Sequence, residues 1–418
     1  MPFNFRKIEN KMIPFSNMLV ALFFITVLTF KKGYSYVPMA LSVIATLTFL
    51  FHRFKLKNKW QIDKEDKYLI GALITYFLTF VISAVCNGDG FREIDNPSRI
   101  LFFIPLIFFF GLYPIKKTTL FHFVPIGALV VGLLAIYQKF VLKLVKPFPA
   151  IMSIQAGDIA TVLGLFSIAI AFYWFSQKKN KIGILYILFA GLGLLASILT
   201  GARGGWIAFP ACFLIILLFN FKQINKKIIA TSALLLGLSL SLFIYKPEFG
   251  IQKRYNAAKS DITQYFEKDK KNSSLGARFD MWKNALVAIS EKPLLGHGSS
   301  GYEIFKKKQV ESKQMAKSTL SFNSLHNQYL ESFVKRGIIG FAALMAILLI
   351  PFVIFARHLK AEDRAVKCIA VLGIVHITAH SFFFLSQSFL AHNSGSIFYF
   401  FVLILLYHLI KHKEQELQ

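Results

Sequence analysis

Two arginines stand at the ends of long apolar runs, Arg99 in "DNPSRILFF" and Arg203 in "TGARGGWIA", and a third, Arg278, opens an amphipathic segment. The glycines around Arg203 let the backbone turn tightly and leave the guanidinium free to bind a phosphate through two parallel hydrogen bonds. Singly, each arginine has a simpler explanation, because a guanidinium can extend to lipid headgroups or pair with an acid such as Asp280 or Glu291. Three arginines at one membrane face could together hold a pyrophosphate.

A histidine begins the stretch "HNQYLESFVKRGIIG", which leads from a polar segment into an apolar one. If residues 325–336 are helical, positions three and four apart stack, so that His326, Leu330, Phe333 and Gly337 lie on one face. That face is otherwise apolar and should look into the protein. We therefore expect the imidazole of His326 to be buried, and a buried imidazole on an apolar face suggests a chemical role.

The elements that must position these residues are mostly apolar. The chain has 418 residues, 55% of them hydrophobic and 16% aromatic, and its apolar runs are too many for the core of a soluble domain. We predict an all-α integral membrane protein, in which one span needs about 20 mostly apolar residues. Twelve runs are candidates: roughly 13–30, 34–51, 68–86, 100–114, 118–138, 159–176, 182–199, 205–221, 228–245, 338–356, 365–384 and 395–410.

The distribution of charge predicts the orientation. A net charge of +27 would suggest nucleic acid as the partner of a soluble protein, but lysine and arginine are concentrated here in alternate loops between apolar runs. We expect membrane lipids and no nucleic acid as partners. With the N-terminus in the cytoplasm, basic segments such as 52–67, 177–181 and 222–227 lie inside, as the positive-inside rule requires. Both termini are then cytoplasmic.

This topology divides the chain into three parts: transmembrane helices 1–9 over 1–245, a large extracytoplasmic loop with the candidate motifs over 246–337, and transmembrane helices 10–12 with a short cytoplasmic tail over 338–418. Long loops in compact architectures are usually functional. In this loop, Phe279, Trp282, Leu286 and Ile289 recur at helical spacing ahead of Pro293. The pattern predicts an amphipathic helix that lies against another element.

Other motifs favour structural roles. "GHGSSG" matches a dinucleotide-binding pattern literally, but it follows a helix and a proline instead of a strand. His376 and His380 are four residues apart in "HITAH" without a third metal ligand, so hydrogen-bonded packing within the membrane is the better explanation. The three cysteines lie within or at the ends of predicted spans, in no metal-binding or redox spacing. Asp158 is either a helix-end residue or a polar lining group.

The stretches "GARFDMWKNAL", "KPLLGHG" and "HNQYLESFVKRGIIG" resemble the signature of the O-antigen ligase and polymerase superfamily. Its pattern of His-Asn, nine residues, Gly, two residues and Gly fits His326, Asn327, Gly337 and Gly340 without departure. An arginine that follows a glycine in a short outer loop matches Arg203. An arginine that starts the large-loop helix matches Arg278, and where ligases often have leucine four residues later, this chain has Trp282.

The resemblance implies a GT-C-like, largely helical glycosyltransferase that takes a glycan from undecaprenyl pyrophosphate. In the ligase branch the acceptor is a sugar of the lipid A core, at the periplasmic face of a Gram-negative inner membrane. His326 can accept the proton of the acceptor hydroxyl because an imidazole titrates at about pH 6.5. Arg203 and Arg278 can stabilise the leaving pyrophosphate without a metal or other cofactor. We expect the residues that bind substrate to include Arg99, Asn327 and Trp282.

Three other functions stay open at this point. A polymerase of the superfamily uses the same donor but usually carries two sizeable outer loops, and a protein O-oligosaccharyltransferase usually has a longer C-terminal part. A flippase or other transporter of lipid-linked glycans needs polar residues along a path through the bilayer, and the apolar runs here are nearly free of them. The ligase is the favoured function.

Overall fold

The computed structural model describes residues 5–57, 60–201, 204–220, 251–268 and 271–417, together with single positions between 225 and 241. Within these ranges the regular structure is entirely helical, with no β-strand. Fourteen α-helices are described: α1 Phe5–Thr26, α2 Gly33–Leu50, α3 Lys64–Asn87, α4 Arg92–Leu112, α5 Lys117–Ile136, α6 Ser153–Ser176, α7 Asn180–Thr200, α8 Gly204–Asn220, α9 Ile251–Lys268, α10 Ser274–Glu291, α11 Gly298–Glu311, α12 Gln328–Arg357, α13 Arg364–Ser386 and α14 Asn393–Leu417.

Among the described helices, nine are long and apolar enough to cross a membrane, namely α2 to α7 and α12 to α14. Two shorter apolar helices accompany them, Lys11–Thr26 within α1 and Gly204–Asn220, which is α8. These helices coincide with eleven of the twelve predicted spans, and the prediction of an all-α integral membrane protein is confirmed. The remaining predicted span, 228–245, the ninth along the chain, falls largely outside the described residues.

Ion pairs join the helix ends at one end of the bundle. Arg357, at the end of α12, lies 2.8 Å from Glu65 at the start of α3. Lys411 in α14 pairs with Asp63 at 2.7 Å and also with Asp66, and these two aspartates form a capping box that begins α3. The loop charges predict all these helix ends to be cytoplasmic, and the structure brings them together.

The centre of the bundle is formed by α6 and α14, whose most apolar stretches are almost wholly buried. Helices α6 and α7 pack closely because glycines face each other across the contact. A side chain at Gly193 would meet the backbone of Gly164, and one at Gly164 would meet the side chain of Leu194. Small residues of this kind let membrane helices approach backbone to backbone.

Helix α12 begins later than the sequence predicts. Asn327 is its N-cap and Gln328 its first residue, so the expectation that His326 lies on a helix face with Leu330 is wrong. His326 instead precedes the helix with a left-handed backbone, φ 49°. At Gly337 the dihedral angles leave the helical region (φ 62°, ψ −163°), which separates a short first segment of α12 from the membrane-crossing remainder.

The predicted amphipathic helix exists as α10, but its most buried positions are not those of the predicted stripe. Ala277, Met281, Ala285 and Ala288 are each at most 2% exposed, whereas Leu286 is 61% exposed. Two members of the stripe, Trp282 and Ile289, are partly buried and pack against the same cluster as Met281 and Ala285. The predicted face is therefore packed in part.

Candidate active site

The candidate site is centred on residues 386–388, where the chain leaves α13, and we call this segment the α13 exit turn. Arg278 of α10 donates from Nη1 to the carbonyl oxygen of Ser386 at 3.3 Å. His326 Nδ1 lies 2.8 Å from Gln387 Oε1, and Ser388 donates to a carboxylate of α12. Two predicted site residues, Arg278 and His326, thus meet at consecutive residues of one turn.

The loop that carries His326 is fixed on both sides. Trp282 of α10 donates from its indole nitrogen to the carbonyl oxygen of Leu325 at 2.8 Å. On the other side, the Asn327 side chain accepts hydrogen bonds from the backbone N–H groups of Tyr329 and Leu330 at 3.0 and 3.1 Å. Asn327 is thereby an N-cap, and both it and Trp282 determine where His326 is held.

Glu331 connects this loop to the α13 exit turn. Its carboxylate is buried and accepts from the backbone N–H of Leu325 at 2.8 Å and from Ser388 Oγ at 2.7 Å. Lys335, one turn further along α12, lies 2.8 Å from its other oxygen. The charge is therefore fully compensated, as a buried carboxylate requires. Sequence reasoning missed Glu331, although it is the only acidic residue of α12 and has Lys335 four residues later, a spacing that favours an ion pair.

Burial lowers the pKa of His326 below its ordinary value, and the positive charge of Arg278 acts in the same direction. The hydrogen bond to Gln387 and the negative charge of Glu331 oppose this shift without cancelling it. His326 is consequently neutral at pH 7, with one ring nitrogen that carries a lone pair. Within the described part of the chain, no hydrogen bond is formed to its Nε2.

The glycines of the signature form a junction between two stretches of backbone. The N–H of His297 donates to the carbonyl of Val334, and the N–H of Ile338 to that of Pro293, both at 2.8 Å. Any side chain at Gly337 would overlap the backbone of residue 294, and one at Gly296 would overlap the backbone that precedes Gly337. Only glycine fits at both positions, which also have positive φ. We call this contact the glycine junction.

"GHGSSG" forms the start of α11 and has a carboxylate of the same chain as its partner. The backbone N–H groups of Ser299 and Ser300 each donate to Asp89 at 2.8 Å, and Ser299 Oγ donates to Glu93 at 2.7 Å. An acid at a helix N-terminus is electrostatically favourable. The segment therefore ties the large loop to the end of α3, a structural role.

The other predicted site residues are placed differently. Arg99 contacts the start of α14 rather than residues 386–388: it lies 2.9 Å from Asp95, and it also donates to Asn96 and Asn393. Arg203 is outside the described residues. Gly204, which follows it in sequence, packs so tightly that a side chain there would meet Ser386 Oγ and the carboxylate of the buried Asp158. Gly340 faces Arg336 one turn back in α12.

The two histidines of α13 are fully buried among aromatic rings, and the ring of His380 lies 5.0 Å from that of Phe389, the residue after this turn. The rings of His376 and His380 are 4.3 Å apart. His376 Nε2 bonds to the carbonyl of Tyr399 at 3.0 Å, and His380 Nδ1 to the carbonyl of His376 at 2.7 Å. Among the described residues, no group of three or more histidine, cysteine or acidic side chains is arranged to hold a metal ion.

Together, the fold and this site define a multi-pass, all-helical membrane protein with a histidine and an arginine gathered at one end of its bundle. Residues 188–345 match the family model described as O-antigen ligase. The chain is also 52% identical, over 394 residues, to an uncharacterized protein of Haemophilus influenzae, an alignment that covers 94% of this chain and 98% of the other. The chain belongs to the O-antigen ligase and polymerase superfamily, whose members are glycosyltransferase-like enzymes.

The matched range contains Arg278, His326 and the glycine junction, but it ends before the α13 exit turn. Gln387 and His392, which extend the contacts of His326, therefore lie outside it, and sequence reasoning missed both. The signal available was the polar run "SQSFLAHN" between two apolar runs. No periodicity or motif marks this run as part of a site.

Proposed function

We propose that the protein is an O-antigen ligase, which transfers a glycan from undecaprenyl pyrophosphate to a sugar hydroxyl of the lipid A-core oligosaccharide. The observation that carries the proposal is the convergence of Arg278 and His326 on the α13 exit turn. A group that takes a proton and a group that stabilises a phosphate are the two that this transfer needs. Membership of the superfamily and the multi-pass fold support it.

In the proposed reaction, the acceptor hydroxyl oxygen attacks the anomeric carbon of the donor glycan. The bond between that carbon and the pyrophosphate oxygen breaks, and its electron pair leaves with the pyrophosphate. The hydroxyl proton passes to His326 Nε2, the ring nitrogen that faces away from Gln387. A neutral imidazole suits this task, because its lowered pKa keeps the lone pair available at neutral pH.

Arginine is the residue suited to the leaving pyrophosphate, because a guanidinium stays charged where water is scarce and binds two oxygens at once. Arg278 is held at the α13 exit turn by its hydrogen bond to the backbone carbonyl of Ser386. Arg203 is assigned the same role from the resemblance alone. The next residue in sequence, Gly204, packs against Ser386 of the α13 exit turn. Under this proposal no metal is required.

We further propose that the site faces the periplasm at the Gram-negative inner membrane. The helix ends joined by Lys411 and Arg357 belong to the side that the loop charges predict to be cytoplasmic. His326 precedes α12 and Gln387 follows α13, so both lie at the opposite ends of those helices. Both substrates are amphiphiles, and a site at the membrane surface suits them.

Purified protein in liposomes, supplied with undecaprenyl-pyrophosphate glycan and lipid A-core, tests the proposal directly. We expect glycan to appear on the lipid A-core. Extension of the donor glycan alone would identify a polymerase, transfer to a peptide would identify a protein glycosyltransferase, and glycan movement across the bilayer without transfer would identify a transporter. Arg203→Lys should lose nearly as much activity as Arg203→Ala, since lysine cannot form the planar two-bond contact.

A further inference from the structure

Gln387 bridges two histidines through the two ends of its side-chain amide. It is fully buried and caps the C-terminus of α13. Its Oε1 lies 2.8 Å from His326 Nδ1, and its Nε2 lies 2.8 Å from His392 Nε2. Nε2 also lies 3.4 Å from the thioether sulfur of Met152. The glycosyl transfer itself uses neither Gln387 nor His392.

The chemistry of an amide determines which nitrogens carry hydrogen in this chain of contacts. An amide oxygen only accepts hydrogen bonds and an amide NH₂ group only donates them. His326 Nδ1 must therefore carry the hydrogen that Gln387 Oε1 accepts, which leaves the lone pair of the neutral ring on Nε2. His392 Nε2 must in turn be the acceptor for the amide, so its own hydrogen is on Nδ1.

The amide has partners that hold it in this orientation. His392 and the sulfur of Met152 both accept from Nε2, and the Met152 sulfur cannot donate in return. A reversed amide would present an oxygen to the Met152 sulfur and lose that contact. The backbone N–H of Gln387 donates to the carbonyl of Phe383 at 3.0 Å, which fixes the residue from which the side chain extends.

We propose that Gln387 is a positioning residue that selects the tautomer of His326, with His392 as the residue that holds the amide of Gln387 in place. A neutral imidazole in water favours hydrogen on Nε2, which is the wrong nitrogen for a base that is held at the turn through Nδ1. Gln387 reverses this preference and directs the lone pair of Nε2 away from the turn. This inference rests on the proposed function only where it assigns that lone pair to the acceptor hydroxyl.

The charged and titratable groups around His326 come from three elements. Arg278 of α10 disfavours a second proton on the ring, Glu331 of α12 favours it, and His392 beyond the exit turn interacts with it as a second imidazole. None of these groups forms a hydrogen bond with either ring nitrogen of His326. Among the described neighbours, Gln387 is the residue that bonds to one nitrogen, Nδ1, and so makes the two nitrogens different.

The first experiment measures the tautomer and needs no substrate. The full-length protein is labelled with ¹⁵N-histidine in lipid nanodiscs at pH 8, and the His326 signals are identified by their absence in His326→Gln. We expect the His326 hydrogen on Nδ1 in the wild type and a shift toward Nε2 in Gln387→Leu. Hydrogen on Nε2 in the wild type, or the same tautomer in both proteins, would overturn the proposal.

The second experiment measures transfer from the lipid-linked donor. Gln387→Leu should lower kcat by about 10- to 100-fold, by analogy with the cost of removing a group that orients a metal-bound imidazole, with little change in the KM for the donor. Gln155→Leu is the matched control, because Gln155 is a buried glutamine that contacts the same segment at Phe389 and Ser394 without contacting His326. Equal kcat values for the two variants would contradict the assigned role.

Gln387→Glu separates positioning from simple packing. A carboxylate still accepts from Nδ1 and keeps the tautomer, but its negative charge raises the pKa of His326. The acid limb of the pH–kcat profile should therefore move to higher pH while activity on the basic side is largely retained. An unmoved acid limb would argue against contact between residue 387 and the base. If the wild type transferred no glycan, the proposed function would fail, and the NMR result alone would decide the tautomer.

Discussion

His326→Gln is the substitution that tests the proposed mechanism most sharply. Glutamine is similar in size, and its amide can still donate to Gln387 Oε1 as the imidazole does. The loop is otherwise held by Trp282, by Glu331 and by the Asn327 cap, none of which uses the imidazole. The change is therefore confined to the loss of a group that can take up a proton, and the fold should survive it.

The expected loss follows from the role assigned to the ring. Removal of a general base usually costs on the order of a hundred- to ten-thousand-fold in rate, which corresponds to about 2.7–5.4 kcal/mol of transition-state stabilisation. kcat is measured with lipid-linked donor and lipid A-core acceptor, and donor binding is measured separately on the same preparation. Near-normal kcat for His326→Gln would remove His326 from the mechanism. Lost transfer with intact donor binding supports it as the base.

The pH dependence of the wild type provides a second measure of the same residue. Only the neutral ring can accept the proton, so activity falls as pH drops through the pKa of His326. Burial and Arg278 lower that pKa. The midpoint of the acid limb should therefore lie below the ordinary imidazole value of about 6.5, and activity should stay level between pH 7 and 8. A midpoint well above that value would contradict the electrostatic account of the site.

Three further expectations concern the arginine, the glycine junction and the topology. Arg278→Lys should weaken donor binding and transfer almost as much as Arg278→Ala, and near wild-type transfer by the lysine variant would leave only a general electrostatic role. Gly337→Ala should destabilise the protein by roughly 1–3 kcal/mol because of its backbone angles, and its Tm in detergent should fall clearly. Gly191→Ala is the control, because a side chain at that helix position meets no other atom of the described residues, and its Tm should stay near that of the wild type. Equal Tm values for the two variants would refute the predicted overlap at Gly337. Of two variants that carry a single introduced cysteine, Lys307→Cys should react with a membrane-impermeant maleimide on intact cells, and Lys57→Cys should not. Selective labelling at position 57 would contradict the predicted orientation.

Much of the helical bundle could be predicted because the hydrocarbon core of a membrane accepts only a narrow class of sequences. A span must be long and apolar, and eleven predicted spans overlap described helices, although α1, α4 and α12 begin 8, 8 and 10 residues before the corresponding predicted spans. The break in α12 at Gly337 also falls at the predicted boundary between the large loop, 246–337, and the next predicted span, 338–356. Helix starts were harder, since α12 begins at Gln328 through an asparagine cap that the periodicity of its apolar residues does not reveal.

The site was predictable only in part, for a different physical reason. His326 and Arg278 are recognisable by their residue types and by the motif around them. Gln387 and Glu331 act through contacts between elements distant in sequence, and a single chain gives no signal for which helix ends will meet. The inward face of α10 was predicted only in part: the spacing of large side chains identifies Trp282 and Ile289, which pack there, but it gives no signal for the fully buried Ala285.

The glycine junction has a consequence for exchanging parts between relatives. Its two hydrogen bonds run from backbone to backbone, so this contact between the large loop and α12 needs no particular side chain as long as Gly296 and Gly337 are kept. Chimaeras that also keep Ser299 with Asp89 and Glu93, the side-chain contact between the loop and the bundle, should therefore preserve the placement of the loop even when the rest of its sequence differs. The loop is then a transplantable unit, and acceptor preference can be mapped by moving it between members of the family.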